Sequence, residues 1–413
     1  MRHPRHLARS CLLALALLGA PAPGRAAAPE IHDHSPPPLP GESYGVADFR
    51  LAIPPGTGTV RGVLFRVAPH LADSRPEVLD PALLALCAEH GFALLGARLD
   101  DVGMETGIGD ALLRTLAVFA TASGRSELAF TTLYCEGYSW GGQFAYHFML
   151  WRPERVIGLV TMKGGYHRTD PAGEAILVPA YLFVGENDLP YRIANLTGIF
   201  EAHRPLGARW ILALQPGAGH EPITDRGLLD AYFHAVVTRR LPAEIPPDRV
   251  PELRVLPEPE SWLGDRTRQF VGAWECYDAA RDSACWFPER AVGVAWQDFV
   301  SAGAVIDTIA CVTAATGATP ASARLLPARP NPFNPATVIA FELDGRGRVE
   351  LRVYDLAGRC VRTLVDVSAL ARGRHEMVWR GRDDAGRKLP AGSYVCRLRA
   401  ARETSVQLLS LVK

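Results

Sequence analysis

A serine flanked by glycines is the clearest candidate for chemistry in this chain. Ser139 lies in the run Gly137-Tyr-Ser-Trp-Gly141, after an apolar stretch typical of a strand and before an amphipathic stretch typical of a helix. In such a strand–turn–helix the serine backbone is strained and its oxygen stands clear of the strand ends. A side chain at either glycine would collide with the neighbouring strand or helix. The pattern predicts a nucleophile, with the Trp140 N–H aimed at a developing oxyanion.

A serine nucleophile needs a base, and the base needs an acid to orient it. In a parallel sheet whose nucleophile lies on such a strand–turn–helix, the three residues follow one another along the chain in the order serine, acid, histidine. Asp188 ends the apolar run "AYLFVGEND", and His220 follows the next apolar run in "WILALQPGAGHEP". Each falls where a strand reaches the same edge of a parallel sheet, so we predict Ser139, Asp188 and His220 as a triad. Glu186 and Asn187 remain alternatives to Asp188.

A second oxyanion donor is expected from the loop that follows the early strand "RGVLFRV". Ala68 is the candidate, because Pro69 has no N–H to donate.

Four aromatic residues are placed to line the crevice around the serine: Tyr138, Trp140, Tyr166 and Tyr191. Tyr138 and Tyr191 are the candidates for substrate contact, although simple packing is an equal alternative. About a dozen residues separate "TMKGG" from "PAYLFVG", which leaves little chain for a lid and predicts an open crevice.

The bulk composition excludes some classes of partner. Among 413 residues, Lys+Arg and Asp+Glu both total 44, so no basic surplus points to nucleic acid. The chain is 48% hydrophobic, which suits globular domains with real cores, and its length predicts two or three of them.

Residues 1–28 have the pattern of a secretory signal peptide: arginines, the apolar run "CLLALALLGA", then small residues. Cleavage after Ala26 or Ala28 is expected. The apolar run is too short to span a bilayer, and no later segment is long and apolar enough to do so.

An exported chain is permitted disulfides. Seven cysteines follow the signal segment, at positions 87, 135, 276, 285, 311, 360 and 396. Cys276 and Cys285 are close enough in sequence for a local bridge, and Cys360 and Cys396 share the last domain and are candidates to pair. The cysteines at 87 and 135 lie in apolar runs and are predicted to be buried free thiols.

No metal or cofactor is predicted. The sequence has neither CxxC nor HExxH spacing, which disfavours a structural zinc site. His32 and His34 lie in a proline-rich segment without a further ligand, which makes a poor metal cage.

Changes in proline content and in the pattern of apolar residues divide the chain after the signal segment into four parts. Residues 29–43 are proline-rich and predict a linker. Residues 44–242 alternate strand and helix patterns, which predicts a doubly wound, mostly parallel sheet covered on both faces. Residues 243–322 are predicted to be an extension packed on that domain, with one helix in "PERAVGVAWQDFVSAG". Residues 323–413 carry short alternating runs with Gly/Asp turns, which predicts a small β-sandwich.

With Ser139, Asp188 and His220 in this order, residues 44–242 resemble the α/β-hydrolase superfamily. "GYSWGGQFA", "VGENDLP" and "GAGHEP" are similar to secreted esterases grouped with polyhydroxybutyrate depolymerases and feruloyl or acetylxylan esterases. The resemblance implies Ser139 as nucleophile, His220 as general base and then acid, and Asp188 as the orienting acid. Many relatives have a His-Gly-Gly run at the oxyanion loop, where this chain has "VAPH".

The tail resembles a different family. "LLPARPNPFNPATVIAFEL", "VYDLAGRCVRTL" and "GRDDAGRKLPAGSYVCRL" are similar to the immunoglobulin-like domain of flagellar hook-capping proteins and to C-terminal sorting domains of the type IX (Por) secretion route. This resemblance implies a secreted or surface-displayed protein with the secretion machinery as a partner.

The sequence therefore predicts a secreted serine hydrolase that cleaves carboxylic esters, bulky or polymeric ones in particular, through an acyl-enzyme. A serine peptidase of the same fold and a catalytically silent surface binding protein remain the alternatives.

Overall fold

The computed structural model describes seven stretches of the chain: 27–277, 279–301, 308–312, 323–345, 347–370, 372–400 and 403–412. The predicted signal peptide at 1–28 lies outside these residues except for its last two. Every structural statement below concerns the described residues.

Eight strands of the first part of the chain form one sheet. In chain order they are β1 (Glu30–His34), β2 (Ala47–Ile53), β3 (Gly62–Val67), β4 (Phe92–Leu99), β5 (Leu133–Tyr138), β6 (Val156–Met162), β7 (Ala180–Gly185) and β8 (Trp210–Gln215). Their order across the sheet is β1-β2-β4-β3-β5-β6-β7-β8. β2 pairs antiparallel with β1 and β4, and the other neighbours pair parallel. The carboxyl ends of the parallel strands therefore meet at one edge.

Helices connect these strands and cover both faces of the sheet. They are α1 (Pro81–His90), α2 (Ile108–Ser123), α3 (Trp140–Trp151), α4 (Pro190–His203) and α5 (Arg226–Arg240). The Tyr134 ring of β5 meets Phe233 of α5 with centroids 4.8 Å apart, whereas Gly137, three residues on and so on the other face, abuts the start of α3. Residues of β5 and β6 are buried almost throughout, as expected for central strands covered on both sides.

Local sequence signals set the helix boundaries. α1 begins after Asp80, whose carboxylate accepts hydrogen bonds from the Ala82 and Leu83 amides, and has Pro81 in its first turn. It ends at Gly91, which takes the left-handed conformation with φ 67°. None of the described helices has the length and apolar character needed to cross a membrane.

The linker predicted at 29–43 is wrong in part. Residues 30–34 form β1, which pairs with β2 along its whole length, from Glu30 opposite Ile53 to His34 opposite Phe49. A bidentate ion pair between Arg50 and Asp33 joins the two strands. The alternation of "EIHDH" is short and polar, so its strand character depends on this neighbour and not on local propensity.

The segment 243–322 packs against the outer strands of the sheet. Its described helix and the strands before it are β9 (Trp262–Asp265), β10 (Phe270–Ala273), β11 (Cys285–Phe287) and α6 (Arg290–Val300), and a fourth strand at Thr308–Val312 follows. The Trp296 indole N–H donates to the Leu212 carbonyl of β8 at 2.9 Å, and Phe299 packs edge-on against Phe183 of β7. The helix expected in this segment is confirmed as α6, whereas the three short strands that precede the helix gave no clear alternation in the sequence.

The last part of the chain is an antiparallel β-sandwich. Its strands are β13 (Ala323–Leu325), β14 (Thr337–Leu343), β15 (Gly347–Tyr354), β16 (Cys360–Leu370), β17 (Gly373–Trp379), β18 (Gly392–Ala400) and β19 (Glu403–Leu411). The strand β12 (Thr308–Val312) belongs to the preceding segment and pairs with β17. One sheet has the order β16-β15-β18-β19, and the other runs β11-β9-β10-β12-β17-β14-β13, so β12 joins the sandwich to the extension. Phe341 and Trp379 from one sheet and Leu351 and Leu398 from the other share one core. The fold class predicted from the sequence is confirmed.

Neither of the two candidate cysteine pairs forms a disulfide. Cys276 is disulfide-bonded, but Cys285 is a buried free thiol whose Sγ donates to the Leu212 carbonyl at 3.3 Å. Cys360 and Cys396 are also free. They lie on β16 and β18, and β15 runs between those strands, which places the two backbones about 10 Å apart, too far for a bridge. The free buried thiols expected at positions 87 and 135 are confirmed.

Candidate active site

The turn between β5 and α3 has a strained backbone. Ser139 has φ 54° and ψ −120°, a conformation that non-glycine residues seldom adopt. Its amide donates to the Met162 carbonyl at 2.7 Å, which fixes the turn to the end of β6. A Cβ at Gly137 would lie 2.3 Å from the Gly141 carbonyl oxygen, so helix and strand approach as closely as glycine permits.

The structure brings Ser139, His220 and Asp188 together at this edge. Ser139 Oγ lies 2.8 Å from His220 Nε2, and His220 Nδ1 lies 2.7 Å from Asp188 Oδ2. The Asp188 side chain is only 2% exposed and that of His220 is 26% exposed. A hydroxyl, an imidazole and a buried carboxylate in this chain of contacts can pass a proton from the serine to the histidine while the carboxylate fixes the ring.

The two alternatives to Asp188 hold the histidine loop instead. The Glu186 carboxylate accepts a hydrogen bond from the Gly217 backbone N–H at 2.6 Å, and the Asn187 backbone N–H donates to the Ala218 carbonyl at 2.8 Å. These contacts tie the loop after β8 to the loop after β7. They place the residue that follows, Asp188, against the imidazole.

Arg192 is a charged neighbour of the triad that the sequence analysis missed. Its guanidinium lies 3.0 Å from Asp188 Oδ1, and the Leu189 amide donates to the same oxygen at 2.7 Å. Burial alone would raise the pKa of Asp188, but the hydrogen bonds from His220, Leu189 and Arg192 outweigh it and leave that pKa below its ordinary value. Pro190 in the first turn of α4 signals a helix start, and a helix there puts Asp188 and Arg192 one turn apart.

Replacing Arg192 by methionine is expected to move the acid-side loss of kcat/KM to higher pH. The guanidinium, 3.0 Å from Asp188 Oδ1, helps to hold the pKa of Asp188 below its ordinary value. Without it the carboxylate takes up a proton at a higher pH and no longer carries the charge that holds the His220 ring. Arg192→Lys keeps the charge and is the matched control. An unchanged acid limb in the pH profile of Arg192→Met would show that the guanidinium has no electrostatic effect on Asp188.

The predicted oxyanion donors lie on the two segments that meet at the elbow. Trp140 is the first residue of α3, where backbone N–H groups have no partner within the helix. A Cβ at Gly141 would lie 2.2 Å from the Val67 carbonyl oxygen and 2.4 Å from that of Ala68, so the loop after β3 packs directly on the elbow. Ala68 also lines a cavity of about 160 Å³ at this edge, together with Tyr138.

The aromatic residues predicted around the serine separate into two groups. The Tyr138 hydroxyl donates to the His220 carbonyl, so this side chain supports the histidine loop. Tyr166 and Tyr191 are 69% and 42% exposed, and their rings lie 5.3 Å apart. The Arg192 guanidinium lies over the Tyr191 ring, 5.4 Å from its centroid. Trp140 is half-buried against His70, with ring centroids 4.6 Å apart.

Lys163 is a second residue that the sequence analysis missed. It follows β6 with φ 56°, an unusual backbone for lysine, and its side chain is fully buried. Its Nζ lies 3.6 Å from the carboxylate of Glu221, the residue after the triad histidine. Burial lowers the pKa of Lys163, and the Glu221 charge opposes that change. The ion pair connects the end of β6 to the histidine loop; nothing in the local sequence pattern marks it.

A buried carboxylate supports β5 just before the elbow. Glu136 is fully buried between Arg66 and Arg226, with oxygens 2.7 Å from each guanidinium. Burial opposes its charge, but the two arginines outweigh that effect and lower the pKa of Glu136. Arg66 comes from β3 and Arg226 from α5, so the cluster links three elements beneath the site.

Two further polar side chains near this part of the fold have structural partners. His147 is buried in α3, where Nδ1 lies 3.1 Å from the Val102 carbonyl and Nε2 accepts from the Arg168 amide. Asp101 accepts from the amides of the two residues that follow it, so it shapes the turn after β4.

Comparison with known proteins gives one family match, at the end of the chain. Residues 333–403, which lie within the sandwich, match the family model described as the FlgD Ig-like domain. No curated protein sequence matches the chain.

Several solved structures are similar to about half of the chain. They include a ferulic acid esterase (11% identity, TM-score 0.36, covering 47% of this chain and 93% of that one). An S-formylglutathione hydrolase from Staphylococcus aureus has 11% identity and TM-score 0.35, covering 51% and 98%. A dienelactone hydrolase from Anabaena variabilis has 20% identity and TM-score 0.33, covering 47% and 89%.

Proposed function

We propose that this chain is a serine hydrolase that cleaves carboxylic esters through an acyl-enzyme. The observation that carries the proposal is the contact chain from Ser139 Oγ to His220 Nε2 and from His220 Nδ1 to Asp188 Oδ2, at 2.8 and 2.7 Å. These distances lie within the range for hydrogen bonds between such groups.

In the proposed reaction, Ser139 Oγ attacks the ester carbonyl carbon while His220 Nε2 accepts the hydroxyl proton. The negative charge that develops on the carbonyl oxygen is stabilised by the N–H groups of Trp140 and Ala68. His220 then gives its proton to the departing alkoxide, which leaves as the alcohol, and Ser139 carries the acyl group. Water attacks the acyl-enzyme with His220 as base, and the acid is released. Asp188 stays ionised throughout and holds the imidazole ring.

The rim of the site suggests a bulky or polymeric ester. The described residues 163–179, between β6 and β7, form loop and one short 3-10 turn, Gly173–Leu177, in place of a helical lid. Tyr166 and Tyr191 stand at this rim with their rings exposed. An aromatic surface beside an open crevice can contact a substrate that extends beyond the reacting group.

The test is a panel of p-nitrophenyl esters of increasing acyl length, run beside feruloyl and acetyl-xylan esters and a set of peptide amides. We expect ester turnover at neutral pH, with an initial burst of p-nitrophenol equal to the enzyme concentration if deacylation is the slower step. Hydrolysis of the peptides without preference for esters would replace the proposal by a peptidase. Retained ligand binding without turnover of any member would indicate a silent binding protein.

We also propose that the protein is exported and that the C-terminal sandwich directs it to the type IX secretion machinery. The match to the FlgD Ig-like domain and the signal-peptide pattern support the proposal. In a bacterium with that route, a reporter that carries residues 1–28 and 313–413 should become accessible to protease added to intact cells. A reporter retained in the periplasm would contradict the sorting role.

A further inference from the structure

Two histidines and a glutamate meet on the face of the sheet that α1 and α5 cover. His90 is the last residue of α1 and His234 lies within α5. His90 Nε2 and His234 Nδ1 are 2.6 Å apart, and a Glu89 carboxylate oxygen lies 3.9 Å from His234 Nδ1. One ligand atom from each residue falls within 4.8 Å of the others. The three side chains therefore converge on one point.

The first ring of this cluster is held in place by packing. The His90 ring meets Phe233 edge-on with centroids 5.2 Å apart, and it meets Phe92 edge-on at 6.3 Å. Its packing aims Nε2 at His234 rather than at bulk water.

Two imidazole nitrogens that face each other at this distance need a proton or a cation between them. The donor set of two nitrogens and one carboxylate oxygen suits zinc and its neighbours, whereas calcium and magnesium prefer oxygen alone. We propose that Glu89, His90 and His234 bind a divalent transition-metal ion, with Zn²⁺ as the reference metal.

The geometry requires only small side-chain movements. Zinc–nitrogen bonds of about 2.0–2.1 Å in a tetrahedral site separate ligand atoms by roughly 3.3 Å. The two nitrogens must therefore part slightly and the glutamate must approach, and both His234 and Glu89 are exposed enough to rotate. Three protein ligands leave a fourth position for water. The nearby Arg61 guanidinium opposes the added positive charge, so the affinity should be moderate.

The ion would join two helices whose ligands are 144 residues apart in the chain. His90 lies just before β4 begins, at the amino ends of the parallel strands, whereas the triad lies at their carboxyl ends. The proposed role is therefore stabilisation of the folded chain and not participation in hydrolysis. A ligand that binds the folded state alone raises its stability by mass action. The proposal of a metal site does not depend on the proposed esterase activity.

The test uses the full chain without a histidine tag, freed of metal by a chelator and then titrated with Zn²⁺. At a free Zn²⁺ concentration about 100 times the dissociation constant, we expect the unfolding midpoint to rise by roughly 5 °C. Co²⁺ should give a visible absorption band at one ion per chain. His234→Gln should abolish both signals, and Glu89→Gln should weaken binding about tenfold.

His34→Gln, which removes a histidine outside the cluster, is the matched control and should behave as the parent chain does. Ester hydrolysis, where present, should be unchanged by either His234→Gln or added Zn²⁺ within the folded range. No rise in the midpoint and no cobalt band in the parent chain would overturn the proposal. Retention of both signals in His234→Gln would overturn it as well, because the ion would then lie elsewhere.

Discussion

Replacing Ser139 by alanine is expected to lower kcat on any ester substrate by about 10⁴-fold or more. The hydroxyl is the proposed attacking group, and the Oγ–Nε2 contact of 2.8 Å is its route for losing the proton. Without the oxygen no acyl-enzyme can form, and only binding and the oxyanion donors remain to assist water.

The fold should tolerate this change. The backbone strain at Ser139 is held by the Met162 carbonyl and by the packing of α3, and alanine is no larger than serine. Circular dichroism and the unfolding midpoint should match the parent chain, so that lost activity cannot be attributed to unfolding. Turnover in Ser139→Ala within tenfold of the parent would refute the mechanism.

Gly141→Ala should damage both stability and activity. The added Cβ would lie 2.2 Å from the Val67 carbonyl oxygen and 2.4 Å from that of Ala68, and both are backbone atoms that cannot rotate away. The start of α3 and the loop after β3 must therefore part, which disturbs the serine and both of the proposed oxyanion donors. We expect a loss of about 3 kcal/mol in the free energy of unfolding and at least about a hundredfold loss in kcat.

Gly198→Ala is the matched control for that experiment. Gly198 lies inside α4, and a Cβ there meets nothing within 4 Å. Because alanine favours helix over glycine, the control should gain about 0.5–1 kcal/mol and keep full activity. Denaturant unfolding and ester kinetics on both variants measure the difference. Equal behaviour of the two would show that close approach at the elbow does not matter.

The sequence contained most of the information needed to place the sheet and the triad. Buried runs such as β5 and β6 are apolar throughout, and the helices that follow carry clear starts and ends. The contact of Ser139, His220 and Asp188 was predictable because the elbow needs its glycines and because parallel strands bring their carboxyl ends to one edge. Chain order then distinguished the acid and the base from other candidates.

The features missed depend on contacts between distant residues. The candidate bridge between Cys276 and Cys285 relied on closeness in sequence. In the fold, however, the Cys285 side chain points toward β8 and donates to the Leu212 carbonyl. Strand β1 is polar and short, and only pairing with β2 makes it a strand. His90 and His234 carry no motif spacing, since the fold alone brings them together. Arg192 is the exception, because Pro190 is a helix-start signal in the sequence and a helix from that point brings Arg192 one turn from Asp188.

The most direct test of the central claim is the site of covalent labelling by an aryl fluorophosphonate. Intact-mass measurement and peptide mapping report which residue carries the phosphonyl group. The account predicts one adduct per chain, located on Ser139, formed fastest near neutral pH and absent after Ser139→Ala or strongly slowed by His220→Ala. A chain that stays unlabelled, or an adduct on another residue that persists in Ser139→Ala, would contradict the account.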